Sequence, residues 1–247
     1  MHDLSNIGPR NILRIGSVYV TETVFFGIIV ACVIIALCLW MAHDLKKIPK
    51  GRQVVAEFIV KTIYSLVTNT MGKHCENFAP YIGSLFMFLI LGNMLGLFGF
   101  RPTTADVNMT FALAGTTFFL VQFNGFRSRG FIGKIRHMAQ PLPFMFPLKV
   151  IEEISFPISL SFRLFGNIFG GVIIMALVFN GLEWVSEAVF GSIPVIGGIP
   201  WLQAVIPLPV NLFFDIFEPI LQAFIFTMLT MVFVSMEVAR HAADGEE

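Results

Sequence analysis

The feature that most constrains this chain is a set of long stretches without a charged side chain. Three of them are about as long as a helix that crosses the hydrocarbon core of a bilayer, namely residues 24–42, 81–100 and 107–125. Charged residues make up 13% of the chain, against about a quarter of an average soluble domain. The sequence therefore predicts an all-α, polytopic membrane protein whose residues 1–247 form a single integral-membrane domain.

Two further apolar stretches, residues 147–180 and 201–236, are longer than a simple span requires. As one helix, the first would extend about 50 Å at 1.5 Å per residue, whereas the hydrocarbon core is about 30 Å thick. An ordinary tilt of about 20° does not absorb this difference. We therefore expect two long, strongly tilted and bent helices.

Residues 54–71 have a different pattern, with polar side chains every three or four positions on one helical face. Glu57 and Lys61 form an i,i+4 pair in the favourable orientation. The pattern fits either a span with a polar stripe or an amphipathic helix lying at the membrane interface.

The distribution of Lys and Arg decides between these two interpretations. The segments 46–52 and 127–136 hold four basic residues each, half of the sixteen in the chain, which predicts that both face the cytoplasm. Two loops on one side require an even number of crossings between them, and residues 81–100 and 107–125 already supply two. The 54–71 helix should then be interfacial. The expected topology has five crossing helices, the N-terminus outside and the C-terminus cytoplasmic, with no cleavable signal peptide.

Both long stretches carry a polar stripe at helical spacing. In the fourth crossing the stripe comprises Glu152, Ser155, Ser159, Arg163 and Asn167, flanked by Gly166, Gly170 and Gly171. In the fifth crossing it comprises Asn211, Asp215, Glu218 and Gln222. Intramembrane ionisable groups are costly, and they face bundle interiors or water and mark ion paths.

Simpler interpretations exist for some of these residues. Arg163 could pair with Asp215 or Glu218 and merely pin two helices, although this would leave the second acid and the amides without a role. Glu152 and Glu153 could be solvated at the cytoplasmic end. Asn93, in the middle of the second span, could form a helix–helix hydrogen bond rather than serve transport.

Other classes of function lack support in the sequence. Zero net charge gives no case for nucleic acid binding, and three cysteines suggest neither a disulfide framework nor a zinc site. Nucleotide, metalloprotease and serine hydrolase motifs are absent, so no cofactor or metal is predicted. A secondary transporter would show an internal repeat, which we do not find. Hydroxyls, amides, acids and one Arg suit the movement of protons or small ions.

Three short segments carry a family resemblance. "SLSFRLFGN", "LQAFIFTMLT" and "TADVNMT" resemble signatures of subunit a of F-type ATP synthases, the stationary proton-channel subunit beside the rotating c-ring. The resemblance implies a subunit that is not catalytic by itself. Its expected partners are the c-subunit ring, peripheral-stalk b-type subunits, the rest of the complex and membrane lipid. The expected location is the bacterial inner membrane.

The resemblance also assigns roles by position. Arg163 matches the essential arginine of the family, Asn167 its companion one turn on, and Gln222 the glutamine of the last helix. By this resemblance, bacterial relatives often carry Glu where this chain has Val172 and His where it has Asp215, and mitochondrial relatives carry Glu at the position of Asp215. The relay acid is therefore expected on the last helix, as Asp215 assisted by Glu218.

Two offset half-channels meeting near Arg163 follow from this assignment. The outer half-channel is expected to be lined by residues toward the outer ends of the last three crossings: Asp106, Asn108, Asn180, Glu183, Asn211, Asp215 and Glu218. The inner half-channel is expected to be lined by Ser159, Ser155 and Glu152. Arg163 would stand between them and block a direct leak.

Overall fold

The computed structural model describes residues 11–15, 18–43, 46–138, 144, 146–190 and 206–244. It begins with an antiparallel hairpin of two strands, β1 (Asn11–Ile15) and β2 (Val18–Thr21), which pass directly into the first helix. The all-α expectation did not include this hairpin. The rest of the described chain is mostly helical, which confirms a polytopic helical membrane protein.

Within the described residues, seven α-helices follow the hairpin: α1 (Glu22–Ala42), α2 (Arg52–Met71), α3 (Ala79–Asn93), α4 (Val107–Met138), α5 (Phe146–Phe190), α6 (Pro207–Leu212) and α7 (Glu218–Asp244). Short 3₁₀ helices at Lys73–Phe78, Met94–Phe98 and Thr103–Ala105 connect α2, α3 and α4. A π-helical turn at Phe213–Phe217 joins α6 to α7.

Four helical segments within the described residues are long and apolar enough to cross a membrane: Glu22–Ala42, Lys73–Phe98, Phe146–Ala188 and Pro207–Val238. The predicted span 107–125 lies in α4 but is not among them. Its uncharged sequence includes hydroxyl and amide side chains such as Thr116, Thr117 and Gln122, which lower its hydropathy. The count of five crossings remains a prediction.

The predicted boundaries need two corrections. The basic segment 127–136 was expected to be a loop, but α4 continues through it to Met138, interrupted only at Gly130 with φ 70°. Arg and Lys are good helix formers, and glycine accepts the positive φ at the break. Helix α5 continues ten residues beyond the predicted end at residue 180. The apolar run from which that end was predicted is shorter than the helix.

The two long helices differ in how they depart from regular geometry. Helix α5 has 45 residues, about 67 Å at the standard rise, and contains Pro157. The last helical segment contains the π turn, and the first residues of the predicted 201–236 helix lie outside the described residues. Strong tilt in the membrane remains a prediction for both.

Helix α7 packs against α2, α3, α4 and α5 and so lies at the centre of the described fold. Two apolar clusters bury its inner face. One includes Val67, Met71, Cys75, Ala79, Ile82, Val121, Met231 and Val234. The other includes Leu85, Leu89, Ala114, Leu160, Leu164, Ala223 and Phe226.

Helix α2 matches the expected 54–71 element and begins two residues earlier. The predicted Glu57–Lys61 pair is confirmed, with 3.6 Å between Lys61 Nζ and Glu57 Oε2. Val67 is buried against the core, whereas Phe58 is largely exposed. An apolar inner side and a mixed outer side suit the predicted interfacial placement, which stays a prediction.

Candidate functional site

The polar stripes of α5 and α7 meet at one hydrogen bond. Asn167 Nδ2 donates to Gln222 Oε1 across 2.7 Å. Gln222 is 2% exposed, and its Nε2 has no hydrogen-bond partner among the residues that the structure describes. The Phe156–Phe233 ring contact and the close approach of Gly171 to Phe214 show that residue numbers fall along α7 as they rise along α5. The two polar stripes are therefore antiparallel, and the amides join them.

Arg163 lies on one side of this amide contact. Its side chain is exposed, and it lines a cavity of about 290 Å³. Ser159, Ser155 and Glu152 line the same cavity from successive turns of α5, and Leu229 and Phe233 close it from α7. The structure thus brings all three residues predicted for the inner half-channel together with Arg163.

A second cavity, of about 350 Å³, lies on the other side of the amide contact. Asn211, Asp215 and Glu218 line it from the last helical segment, and Val172 and Phe179 from α5. Within the described residues Arg163 forms no salt bridge with Asp215 or Glu218, and those two acids line a different cavity. The structure therefore does not show a simple pinning ion pair.

The π turn carries Asp215 into this cavity. Pro219 has no N–H to donate, and its ring crowds the carbonyl of the residue four positions earlier, which is Asp215. The helix widens over Phe213–Phe217 instead of breaking. A Cβ on Gly96 would lie 3.3 Å from Asp215 Oδ1, so the 3₁₀ helix after α3 passes close to this carboxyl group.

The glycines that flank the polar stripe of α5 have two different surroundings. Among the described residues, an added Cβ on Gly166 or Gly170 would meet nothing within 4 Å, so that face is open within this part of the chain. A Cβ on Gly171 would lie 3.0 Å from Phe214 Cδ1. Gly171 therefore permits close packing between α5 and the π turn within this chain.

Four residues predicted for the outer half-channel do not line the cavity. Asp106 is buried and caps α4: its Oδ1 accepts from the backbone N–H of Asn108 at 3.0 Å, and its Oδ2 from Thr23 Oγ1 at 2.8 Å. Asn108 is exposed at the start of α4, and Asn180 and Glu183 are exposed on α5 beyond Phe179. Asp106 thus links α1 to the start of α4 through hydrogen bonds, a structural role that the sequence did not predict.

The two adjacent acids at the start of α5 have separate surroundings. Glu152 pairs with Lys149 across 2.8 Å at the surface. Glu153 accepts from Gln122 Nε2 at 3.0 Å and lies 3.6 Å from Lys134 Nζ, which also bonds to Gln122. The interpretation of Glu153 as a merely solvated residue was wrong, because its partner Lys134 came from a segment expected to be a loop.

Asn93 was not assigned to either half-channel from the sequence, yet it lines the 350 Å³ cavity. It also accepts a 2.5 Å hydrogen bond from Thr104 Oγ1. Gly92 lets the Thr103–Ala105 turn approach α3, because a Cβ there would collide with Thr103. The signal in the sequence was an amide in an otherwise apolar span, which fits a helix-packing or a transport role equally well.

Comparison with known proteins bears on what these cavities serve. A family model described as ATP synthase A chain matches residues 24–235. The ATP synthase subunit a of Moorella thermoacetica is 34% identical over 239 residues, covering 96% of this chain and all of the relative. The chain belongs to this ATP synthase subunit a family. It is accordingly a membrane-sector component of an ATP synthase.

Two other members of the subunit a family are similar to this chain at nearly the same level of identity. The subunit a of Helicobacter pylori is 32% identical, with 86% of this chain and 88% of the relative covered. That of Propionigenium modestum, described as sodium ion specific, is also 32% identical, with 87% of this chain and 73% of the relative covered. The family match includes every residue that lines the two cavities.

Proposed function

We propose that this chain conducts protons through two offset half-channels and exchanges them with carboxylates on a c-subunit ring. The chain performs no covalent chemistry itself. It couples proton flow to ring rotation and thereby to ATP synthesis elsewhere in the complex. Peripheral-stalk b-type subunits are the expected partners that hold it stationary.

The two separate cavities are the main support for this proposal. We call the 290 Å³ cavity the inner cavity and the 350 Å³ cavity the outer cavity, and along α5 the inner cavity is lined up to Arg163 and the outer cavity from Ile168 onward. Along α7, the outer cavity ends at Pro219 and the inner cavity begins at Leu229. The Asn167–Gln222 hydrogen bond falls between them on both helices. A proton that enters one cavity therefore needs another carrier to reach the second, and a ring carboxylate supplies it.

Arg163 has two physical effects in this scheme. Its positive charge favours the ionised form of a ring carboxylate that comes near, so the carboxyl releases its proton there. The same charge repels a proton moving directly between the cavities. Arginine keeps its charge in a dry environment where lysine can lose a proton. Each charge moved across the membrane yields about 2.3 kcal/mol per 100 mV, and the barrier keeps this energy from being lost as leak.

The open side of α5 supports an approaching ring. Arg163 and Asn167 are exposed on this helix, and no atom of the described residues lies within 4 Å of a Cβ added at Gly166 or Gly170. A carboxylate on a neighbouring helix can thus reach Arg163 without displacing a side chain of this subunit. By the distribution of Lys and Arg, we place the N-terminus outside and the C-terminus in the cytoplasm of a bacterial inner membrane.

Replacement of Arg163 tests the proposal. Arg163→Ala should abolish coupled ATP synthesis while the complex still assembles in normal amounts, and Arg163→Lys should fail to restore it. The control is Arg127→Ala, an exposed arginine of α4 outside both cavities. Sealed vesicles with an imposed proton gradient give the rate of synthesis. Normal synthesis by Arg163→Ala would refute the proposed mechanism.

A further inference from the structure

The outer cavity contains an amide to which no role has yet been given. Asn93 is the last residue of α3 and is 2% exposed. It lines the cavity together with Asp215 and Glu218, which are the only titratable side chains lining it in the described part of the chain.

A hydrogen bond from Thr104 fixes the orientation of the Asn93 amide. Thr104 Oγ1 donates to Asn93 Oδ1 across 2.5 Å, and Thr104 is fully buried in the 3₁₀ turn Thr103–Ala105. The acceptor atom of Asn93 is therefore occupied. The donor atom, Nδ2, is buried and has no hydrogen-bond partner among the described residues.

An unsatisfied acceptor belongs to the same cavity. Glu218 Oε1 is buried and likewise lacks a partner within the described ranges. Buried polar groups in proteins nearly always have a partner, either a protein atom or an ordered water. A cavity of about 350 Å³ holds several water molecules, since each occupies about 30 Å³ in the liquid.

We propose that Asn93 is a positioning residue of the outer half-channel. Its Nδ2 donates, directly or through one water, to the carboxyl group of Glu218 and fixes the orientation in which that group takes up and passes on a proton. The proton arrives at and leaves from Glu218, and Asn93 neither gains nor loses one. Because an amide does not titrate, it holds the same position through both states of the acid. This inference rests on the proposed outer half-channel.

The test uses the whole complex in sealed vesicles, in which the pH on each side is set separately. The variants are Asn93→Leu, which keeps the shape and removes the donor, and Thr104→Val, which releases the amide. Asn93→Gln retains a donor. The control is Asn124→Leu, because Asn124 Nδ2 donates to its own helix at Leu120 O and lines neither cavity.

We expect Asn93→Leu to lower the rate of synthesis about tenfold, the effect of losing one hydrogen bond to a charged group. The dependence of the rate on outer pH should shift, while the dependence on inner pH stays as in the wild type. Thr104→Val should shift the outer dependence in the same direction, and Asn93→Gln should restore part of the rate. Asn124→Leu should leave both dependences unchanged.

Two results would overturn the inference. One is an unchanged rate in Asn93→Leu, and the other is an equal loss at every outer and inner pH, which is the behaviour of a purely structural residue. Glu218→Gln and Asp215→Asn separate this failure from failure of the outer half-channel itself. If those two variants shift the outer dependence and Asn93→Leu does not, only the role of Asn93 is lost. If neither acid variant shifts it, the proposed outer path fails as well.

Discussion

Val172 and Asp215 line the same cavity, one from α5 and the other from the π turn before α7. The family resemblance implies that many relatives carry an acid at the position of Val172, whereas this chain has its acids at Asp215 and Glu218. Because the two positions face one cavity, such an exchange would leave the proposed path intact.

Moving the carboxyl group from position 215 in the π turn to position 172 on α5 should therefore restore function. We expect Asp215→Asn to slow proton entry about a hundredfold, at the lower end of the range typical of a lost general acid or base, and Val172→Glu added to it to recover much of the rate. Proton-driven ATP synthesis in vesicles measures both. Ile174→Glu is the matched control, since Ile174 is exposed on α5 and does not line the cavity. Equal recovery by Ile174→Glu would contradict a specific exchange.

The amide contact between Asn167 and Gln222 should behave as an energetically coupled pair. A double-mutant cycle with Asn167→Leu and Gln222→Leu should give a coupling free energy of about 0.6 kcal/mol, which is typical of hydrogen bonds between membrane helices. Each single variant should also raise passive proton leak, because the contact lies between the cavities. Thermal unfolding of the complex gives the coupling, and vesicle pH decay gives the leak. Strictly additive effects would show that the two amides act independently.

The Lys134–Glu153 ion pair should contribute far more to stability than the exposed Lys149–Glu152 pair. Lys134 is 3% exposed, so Lys134→Met leaves the charge of Glu153 poorly compensated. Because Glu153 retains some exposure, we expect a loss at or below about 3 kcal/mol, partly reversed by adding Glu153→Gln. Lys149→Met is the control, since the Lys149–Glu152 pair is exposed and worth at most about 1 kcal/mol. Resistance to heat and detergent measures both, and equal losses would argue against a buried pair.

Asp106 should matter for stability rather than for conduction. Asp106→Ala removes the cap of α4 and the bonds from Thr21 and Thr23, which we expect to cost about 2 kcal/mol. Proton flux per assembled complex should stay within twofold of wild type. Asn108→Ala, at an exposed neighbouring position, serves as the control. A selective loss of flux in fully assembled Asp106→Ala complexes would return this residue to the proton path.

Features that depend on spacing along one helix could be predicted from the sequence. The Glu57–Lys61 pair is such a case, and so is the placement of Asn211, Asp215 and Glu218 around one cavity. The helical period survives the π turn well enough to keep these three residues together. Length and apolarity likewise predicted most of the helices, because the bilayer imposes both.

Contacts between distant segments could not be predicted in this way. Asp106 meets Thr23, 83 positions away, and Glu153 meets Lys134 from a segment whose charge suggested a loop. Both contacts depend on how helices pack, which the period of one helix does not specify. The two roles of Asn93 could not be separated for the same reason, since its hydrogen bond and its cavity both involve other elements.

The π turn has a consequence for how the last helix can vary. Pro219 widens the backbone from outside the turn, so the wide geometry at Phe213–Phe217 does not depend on which side chain stands at position 215. Acids and bases of different size can be exchanged there without a change in the backbone. The proline thus separates the chemistry of the proposed proton relay from the backbone geometry of the helix that carries it.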